Sequence, residues 1–445
     1  MNPPNMFEDT SQFAEARNHA PRAVIFYHYL PPDEVVSAIL FGELAAGLSE
    51  RGWSVRAYAS NRAFRDGSPG YPPRDIWMGV KIRRLWRPAF KQSSFLGRIL
   101  NSLWMVTRWS ALAFDPLVNP DVLIMGTDPI LSVFVAPIWR RFKPHTRIAH
   151  WCFDLYPEAA IADGLLKSRS RFVLLLRRLL KKAYGACDLI VDIGSCMHER
   201  LQIYGAPGRV ATIAPWALEQ PAAPALMHNP EREAIFPNAG LALMYSGSFG
   251  RAHSFDHILL LARRMLADNV RLAFSVNGNC EQELRHAVLP EDVNIKFVPF
   301  AEPEKLSTRL SAADVHVVSL REEWTGTVVP SKFFGALAVG RPVLFAGSPE
   351  SALARWIEEH KVGWVLTPDT IGSVVDELRK LIADPEAKQR LNHHCFRVYC
   401  ENFARQIGID RWDAELQELL QRPRSASESS QESDLSPDGV YSLKE

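Results

Sequence analysis

Short apolar strands alternate with amphipathic helices along most of this chain, and the alternation stops once and then begins again. Apolar runs with the length of strands lie at residues 23–29, 53–59, 122–125, 147–151, 189–193 and 210–214. A helical pattern separates each run from the next, as between Ser37 and Gly52. Strands and helices that alternate in this way are typical of a parallel, doubly wound sheet. The first half of the chain is therefore predicted to be an α/β domain.

The alternation breaks at residues 216–240, which contain Pro221, Pro224, Pro230 and Pro237 and show little periodicity. A second series of apolar runs follows, at residues 241–245, 270–276, 293–298, 315–319 and 343–346. Two α/β units of similar size imply a cleft between them, and such clefts commonly hold ligands. The predicted fold class is α/β, with two Rossmann-like, doubly wound domains that face each other across a cleft.

These patterns also predict the domain boundaries. They are an N-terminal extension at 1–21, a first domain at 22–215, a linker at 216–240, a second domain at 241–400, a C-terminal helix at 401–422 and a tail at 423–445. We expect the C-terminal helix to pack back toward the first domain. The tail is rich in Ser and Glu and has few apolar side chains, which predicts disorder.

Composition limits the class of function and the compartment. The 445 residues carry a net charge of +1, which argues against a dedicated nucleic-acid binder. The six cysteines show no CxxC pair and no zinc-like spacing, which favours reduced thiols in a cytoplasmic protein without a metal site. No apolar run is long enough for a transmembrane helix, and residues 1–9 lack the pattern of a secretory signal.

Residues 322–347 carry the clearest local signal for a ligand. Pro330 suits the first residue of a helix, and Gly340 suits the residue that ends one. Lys332 then falls in the first turn, where a cation opposes the helix dipole at a cost of about 0.3–1 kcal/mol. An anion held between the Lys332 ammonium and the free N–H groups would reverse that sign. The simplest such anion is a phosphate of a ligand, and the alternative is a flexible surface lysine. Ser331 is either a residue of the helix start or a phosphate donor.

A glycine turn gives the second signal. Tyr245-Ser-Gly-Ser-Phe-Gly-Arg251 follows a predicted strand and precedes a predicted helix. Gly247 and Gly250 let the backbone approach a ligand closely and can direct N–H groups at phosphate oxygens. Arg251 can add a bidentate, charge-assisted contact. The alternative is an ordinary Gly-rich turn with a solvated arginine.

The order of these motifs resembles the nucleotide-sugar half of the GT-B glycosyltransferases, closest to the family-4 type of bacterial polysaccharide and lipid-linked glycan assembly. After the turn at 245–251 come Asn-Gly at 277–278, Phe-Val-Pro-Phe at 297–300, Ala-Ala-Asp-Val at 312–315, Val-Pro-Ser-Lys at 329–332 and Gly-Arg-Pro-Val at 340–343. The first half is also similar, at Tyr29-Leu-Pro-Pro-Asp33 and Asp154-Leu-Tyr-Pro-Glu158. The resemblance covers roughly residues 22–420.

The resemblance implies a hexosyltransferase that moves a sugar from a nucleotide-sugar, expected to be UDP-linked, to a glycan or lipid-linked acceptor. It also implies retention of anomeric configuration. The nucleotide-sugar is a substrate, so no cofactor is expected. Lys332 and Arg251 would stabilise the leaving diphosphate without a metal ion. The residues implied in donor binding are Gly247, Ser248, Gly250, Asn277, Gly278, Val298, Ser331 and Glu323.

Two departures from the family pattern bear on activity. Many relatives carry a Glu that grips the ribose hydroxyls where this chain has Gly335, and Glu322 and Glu323 are candidates to replace it. The alternative for both is a solvated acidic pair. A Lys that the family often carries after Arg251 is absent near Asp256. Two other functions therefore stay open: an inactive homologue that binds a partner protein or glycan, and a nucleotide-sugar epimerase.

Three residues of the first domain are candidates for the acceptor side. In similar enzymes a His at the position of His150 contacts the transferred sugar, and a nearby carboxylate, here Asp154, faces the acceptor. Both lie where a strand meets its loop, the usual edge for ligands in such sheets. The alternatives are a buried structural histidine and a turn cap. Asp33 follows Pro31-Pro32, where relatives often have a Gly-Gly loop, and it is a candidate to orient the acceptor.

Residues 95–114 are apolar and aromatic, and only Arg98 and Arg108 among them are charged. Further cations lie nearby in the sequence, at Lys81, Arg83, Arg84, Arg87, Lys91, Arg140, Arg141, Lys143 and within residues 169–182. An apolar helix with neighbouring cations suits the surface of a membrane with anionic lipids. The alternative is a core helix with solvated neighbours. We expect peripheral contact with the inner face of the cell membrane through the N-terminal domain.

Overall fold

The structure is a computed structural model that describes residues 19–66, 68, 70–205, 208–224 and 229–423. The predicted N-terminal extension at 1–21 and the predicted tail at 423–445 lie almost entirely outside the described residues. Two separate sheets organise the rest, one on each side of the Pro-rich segment.

The first sheet has eight strands. They are β1 (Arg22–Phe26), β2 (Ser54–Ser60), β3 (Arg74–Trp77), β4 (Val80–Leu85), β5 (Val122–Gly126), β6 (Arg147–Trp151), β7 (Leu189–Asp192) and β8 (Arg209–Thr212). Their order is β3-β4-β2-β1-β5-β6-β7-β8, and all pairs are parallel except β3 with β4. The hairpin of β3 and β4 was not predicted. It turns at Met78 and Gly79, which both have positive φ, and in β4 the exposed cations Lys81 and Arg83 alternate with the buried Val80 and Ile82.

Helices cover both faces of this sheet. Those of the first half are α1 (Val36–Glu50), α2 (Phe95–Ala111), α3 (Val135–Phe142), α4 (Glu158–Ala162), α5 (Arg171–Gly185) and α6 (Ser195–Leu201). Neighbouring residues of β6 show which helix lies on which face. The ring of His150 packs against Tyr184 of α5, whereas Trp151 packs against Phe41 of α1. On the α5 face, the indole N–H of Trp139 in α3 donates to the carbonyl of Trp109 in α2 at 3.0 Å.

The second sheet has six strands. They are β9 (Leu241–Ser248), β10 (Val270–Asn277), β11 (Ile295–Phe297), β12 (Val315–Ser319), β13 (Val343–Ala346) and β14 (Gly363–Leu366). Their order is β11-β10-β9-β12-β13-β14, and every pair is parallel. The helices of this half are α7 (Pro230–Ile235), α8 (Asp256–Arg264), α9 (Glu281–Ala287), α10 (Leu306–Ser311), α11 (Lys332–Ala338), α12 (Ala352–His360), α13 (Ile371–Ala383) and α14 (Pro385–Val398). Helix α7 lies inside the predicted linker, where Asn229 caps it and Pro230 is its first residue.

The chain returns to the first domain at its end. After α14, the helix α15 (Arg405–Gln421) buries Ile409, Trp412 and Leu416 in the core of the first sheet. Trp412 packs against Trp151 with 5.2 Å between ring centroids. On the polar side, the indole N–H of Trp53 donates to Asp413 at 2.6 Å. The last helix is therefore part of the core of the first domain.

The carboxyl ends of the two sheets meet across a cleft. The N–H of Leu155, which follows β6, donates to the carbonyl of Thr327, which follows β12, at 3.0 Å. Farther along the same contact, Arg355 of α12 pairs with Glu199 of α6 at 2.7 Å. In parallel α/β sheets, ligands bind at the carboxyl ends of the strands, so the fold places the candidate site at this cleft.

Candidate active site

A cleft of about 520 Å³ opens between the domains. It is lined by Ala162, Asp163, Arg251, Asn279, Cys280, Glu283, Arg321, Glu323 and Trp324. Arg251 and Glu323 belong to the predicted site. Ala162 and Asp163 come from the first domain and the others from the second, so a ligand bound here touches both domains.

The predicted glycine turn ends at Arg251, which lines the cleft, and it packs against Lys332, which is not among the lining residues. Gly247 has φ +125°, and a Cβ atom built on it would lie 2.8 Å from Cε of Lys332. Glycine therefore lets the lysine side chain lie directly against the turn. Ser248 and Asn277 end the neighbouring strands β9 and β10, with 3.4 Å between the side-chain oxygens. The structure thus brings the predicted residues of the turn and of the lysine segment together.

Lys332 has no carboxylate partner within the described residues. Its ammonium lies 3.4 Å from Nε2 of His253 and 5.2 Å from the ring centroid of Tyr245. Burial lowers the pKa of Lys332 to about 8, and burial together with the Lys332 charge lowers the pKa of His253 to about 3. Because Nδ1 of neutral His253 donates to the carbonyl of Ser319 at 2.7 Å, its Nε2 accepts from the ammonium. A buried cation held only by neutral groups is suited to bind an anion.

The helix that carries Lys332 starts later than predicted. Lys332 itself is the first residue of α11, and Pro330 and Ser331 lie before it. Ser331 is exposed, and its side chain makes no capping hydrogen bond. The predicted end is confirmed, because Gly340 follows the helix with φ +69°.

Arg251 reaches the cleft but is engaged there by the other domain. Its Nε donates to Oδ1 of Asp163 at 2.7 Å, and its side chain is 51% exposed. Its Nη2 also donates to the backbone carbonyl of Asp163 at 3.4 Å, which leaves the N–H groups of Nη1 for a second anion.

The other predicted donor residues divide into two groups. Gly250 lies near Asn279 of the cleft, and Gly278 approaches Phe249 closely with φ +134°. Val298 instead packs with a small apolar cluster beneath the strands. Its N–H donates to the carbonyl of Phe274 at 2.9 Å, which is a contact of the sheet.

His150 lies where the prediction did not place it. Its side chain is 1% exposed and packs on Tyr184, and burial lowers its pKa to about 3. A ring on the α5 face of the sheet has no access to a sugar in the cleft, so the predicted contact with the transferred sugar is wrong. The sequence places His150 correctly near the end of a strand. Its side chain, however, lies on the face of the sheet that α5 covers.

The two acceptor-side carboxylates differ in their surroundings. Asp33 is 7% exposed and accepts the N–H of Phe64 at 2.7 Å, so it stabilises the loop after β2 rather than opening to the cleft. Asp154 is half-buried at the carboxyl end of β6. Burial and then the charge of Asp128 raise the pKa of Asp154 to about 6.

Three functional candidates were missed by sequence reasoning. His253 supports Lys332, Arg321 adds a second guanidinium to the cleft, and Asp128 lies near enough to Asp154 for its charge to raise the Asp154 pKa. Arg321 and Asp128 each stand two residues after a strand, at the edge where ligands bind. That spacing was the signal available in the sequence.

Two Rossmann-like domains with a shared, cation-bearing cleft are the architecture of GT-B enzymes. A family model described as "Glycosyl transferase 4-like domain" matches residues 38–216, and one described as "Glycosyl transferases group 1" matches residues 231–394. A probable glycosyltransferase, WbjE of Pseudomonas aeruginosa, is 25% identical over 349 residues, which cover 75% of this chain and 83% of the relative.

Solved structures show the same fold. Sucrose-phosphate synthase of Thermosynechococcus elongatus superposes with a TM-score of 0.68 at 15% identity, covering 90% of this chain and 99% of that one. HepE of Anabaena, solved with UDP and glucose, gives a TM-score of 0.59 at 13% identity, covering 89% and 99%. The chain belongs to the family-4-like glycosyltransferases of GT-B fold. It is a glycosyltransferase that uses a nucleotide-sugar donor.

Proposed function

We propose that the protein transfers a hexose from a UDP-sugar to a membrane-associated glycan or lipid-linked acceptor, with retention of anomeric configuration. The binding of a nucleotide-sugar donor is inferred mainly from Lys332. Its side chain lies against Gly247, and its ammonium has no carboxylate partner among the described residues. A relative, the putative colanic acid biosynthesis glycosyl transferase WcaI of Escherichia coli K12, supports a role in polysaccharide assembly. It is 22% identical over 177 residues, which cover 39% of this chain and 44% of the relative.

In this proposal the protein's cations stabilise the charge that grows on the leaving diphosphate. Lys332 and the N–H groups of the turn at Gly247 and Gly250 contact one part of the diphosphate. Arg251 contacts the other part, exchanging some of its pairing with Asp163 for the ligand. The departing phosphate oxygen takes the proton of the acceptor hydroxyl. No cofactor and no metal ion has a role in the proposal.

Calorimetry with a panel of nucleoside diphosphates tests the donor half. We expect UDP to bind more tightly than GDP, ADP or CDP, and to raise the melting temperature of the protein. The inactive homologue is the second candidate, because Gly335 replaces the ribose-binding Glu of the family. A protein that binds none of the panel would favour that candidate. Product analysis without an acceptor separates an epimerase from both.

Donor affinity is expected to depend on pH through Lys332. Its pKa is about 8 in the free protein, and a bound diphosphate anion raises it, so binding takes up a proton above that pH. Between about pH 7 and 8, where the terminal phosphate of UDP is already ionised, affinity for UDP should change little, and above about pH 8 it should fall about tenfold for each pH unit. Calorimetry in buffers of different ionisation enthalpy measures the proton uptake. Lys332→Arg stays charged throughout and should lose the dependence, and a wild-type Kd that is flat across this range would contradict the assignment.

The membrane half of the proposal rests on the outer layer formed by α2, α3 and α5. These three helices contain Arg and Lys but no Asp or Glu. Helix α2 buries the polar Asn101 and Ser102, whereas its Leu96 is 66% exposed. On α5, Phe172 is 61% exposed, and the apolar side chains of Leu174, Leu175 and Leu179 are exposed as well. Exposed apolar side chains among cations suit the interface of an anionic bilayer at the inner face of the cell membrane.

No helix within the described residues is long and apolar enough to cross a membrane.

Vesicle binding tests this surface. Replacing Arg178 and Lys182 with Gln should weaken binding to vesicles of phosphatidylcholine and phosphatidylglycerol by about 30-fold, since each well-placed cation contributes about 1 kcal/mol. Phe172→Ser should weaken it further, whereas Val293→Ser is the control, because Val293 is a 68% exposed apolar residue of the second domain. Flotation of the vesicles measures the bound fraction. Equal losses for Phe172→Ser and Val293→Ser would exclude this face.

A further inference from the structure

Three adjacent strands of the first sheet end in polar residues at the edge that faces the cleft. His28 follows β1, Asp128 follows β5 and Asp154 follows β6. The strand order β1-β5-β6 places these ends side by side. The hydroxyl of Thr127 accepts the backbone N–H groups of Phe153 and Asp154 at 3.3 and 3.4 Å, which holds the second and third loops together.

His28 fixes the position of Asp128. Its Nδ1 lies 3.0 Å from Oδ1 of Asp128, and its backbone N–H donates to the Asp128 carbonyl at 3.1 Å. The ring stacks on Tyr29 with 4.1 Å between centroids, which limits its rotation. The side chain of His28 is 2% exposed, whereas that of Asp128 is 35% exposed. The buried ring of His28 therefore fixes the Asp128 carboxylate, while part of that carboxylate stays exposed to solvent.

No lysine or arginine pairs with Asp128 or Asp154 within the described residues. The two carboxylates lie near each other, since Thr127, the neighbour of Asp128, accepts the N–H of Asp154, and the Asp128 charge adds to burial in raising the pKa of Asp154. Tyr156 lies beside them: burial and then the charges of Asp154 and Asp128 raise the pKa of its phenol. Carboxylates without cationic partners are strong acceptors for hydroxyl groups. A saccharide is the ligand that presents several hydroxyl groups at once.

The chain that follows Asp154 leads to the donor cleft. The residue after Asp154, Leu155, bonds to Thr327 of the second domain. The helix α4 then leads to Asp163, which lines the cleft and pairs with Arg251. Residues 154–163 therefore run from the two carboxylates to the border of the donor cleft.

We propose that Asp128, held by His28, binds the hydroxyl group of the acceptor saccharide that attacks the donor sugar. The inference rests on the proposed transfer to a glycan. The bond between the sugar C1 and the diphosphate oxygen breaks, the bond between C1 and the acceptor oxygen forms, and the hydroxyl proton leaves on the diphosphate. Asp128 aligns the hydroxyl through a hydrogen bond, and His28 is a positioning residue that acts through Asp128.

The test uses Asp128→Asn and His28→Gln in the full-length protein. Asp128→Asn should lower kcat/KM for the acceptor by about 10–100-fold, because the attacking hydroxyl loses its alignment. The Kd for UDP should stay unchanged. His28→Gln should have a smaller effect of the same kind. Should Asp128→Asn fail to fold, Asp128→Glu displaces the carboxylate by one methylene and carries the same expectation.

A double variant separates positioning from a purely structural role. If His28 acts through Asp128, then His28→Gln costs almost nothing further in the Asp128→Asn background. His198→Gln is the matched control: His198 pairs with Asp192 at the same 3.0 Å, but that carboxylate is fully buried and accepts the N–H of Gly194. It should leave acceptor kcat/KM unchanged.

Two results would overturn the inference: an unchanged acceptor kcat/KM in Asp128→Asn, or additive losses in the double variant. Failure of the proposed function is a different result. In that case the wild-type protein binds no nucleoside diphosphate.

Discussion

Replacing Lys332 with Met is expected to lower kcat/KM for sugar transfer by about 10²–10³-fold, the usual effect of removing one preorganised donor that stabilises developing charge. Met keeps the length and most of the packing volume of the lysine stem, so the contact with Gly247 is retained and the charge is lost. The Kd for UDP should weaken as well, because the ammonium acts on the diphosphate before and during transfer. A donor-turnover assay with purified protein measures kcat/KM, and calorimetry measures the Kd for UDP.

The same substitution should stabilise the free protein. The Lys332 pKa lies below its ordinary value because burial disfavours the charged form, so at neutral pH the folded state carries an unpaired ammonium at a cost. Met removes that cost, and the melting temperature without ligand should rise. Lys305→Met is the control, since Lys305 is 64% exposed and pairs only with a surface carboxylate. Activity within twofold of wild type in Lys332→Met would remove this residue from the site.

Replacing Trp412 with Ala is expected to lower the free energy of unfolding by about 3–5 kcal/mol, the range for large aromatic side chains in protein cores. Trp412 is 0% exposed and lies on the last helix, where it packs against Trp151 of the first sheet. The cavity would therefore open in the first domain, although the residue lies near the end of the chain.

Urea unfolding of Trp412→Ala and Arg411→Ala measures that difference. Arg411 is the neighbouring residue of α15, it is exposed, and its substitution should change the free energy of unfolding by less than about 0.5 kcal/mol. Equal effects for the two variants would mean that α15 does not belong to the core of the first domain.

The strand pattern of the sequence was sufficient for the fold, and the exceptions have physical causes. The central strands of both sheets are covered by helices on both faces, so their apolar runs are continuous and easily recognised. The hairpin of β3 and β4 lies at an open edge, where Lys81 and Arg83 face solvent and interrupt the apolar run. Helix α7 begins at Asn229-Pro230, which reads equally well as a turn.

The candidate site was predictable from the sequence where a short local motif indicates a phosphate ligand. Gly247 and Lys332 lie 85 positions apart in the sequence, yet a glycine turn and a lysine after Val329-Pro330 each indicate phosphate on their own. His150 shows the limit of this reasoning. Every residue of Ile148–Trp151 is buried, so nothing in the pattern tells which side chains face α5 and which face the cleft edge.

The return of the final helix also has a consequence for synthesis on the ribosome. Residues of the N-terminal core at Ile409, Trp412 and Leu416 emerge after the entire second domain has been made. The first domain of a nascent chain therefore cannot complete its core until translation is nearly finished, and part of its apolar surface stays uncovered until then. A gene cut between the two sheets would yield a first fragment that needs the second, supplied in trans, to reach its native state.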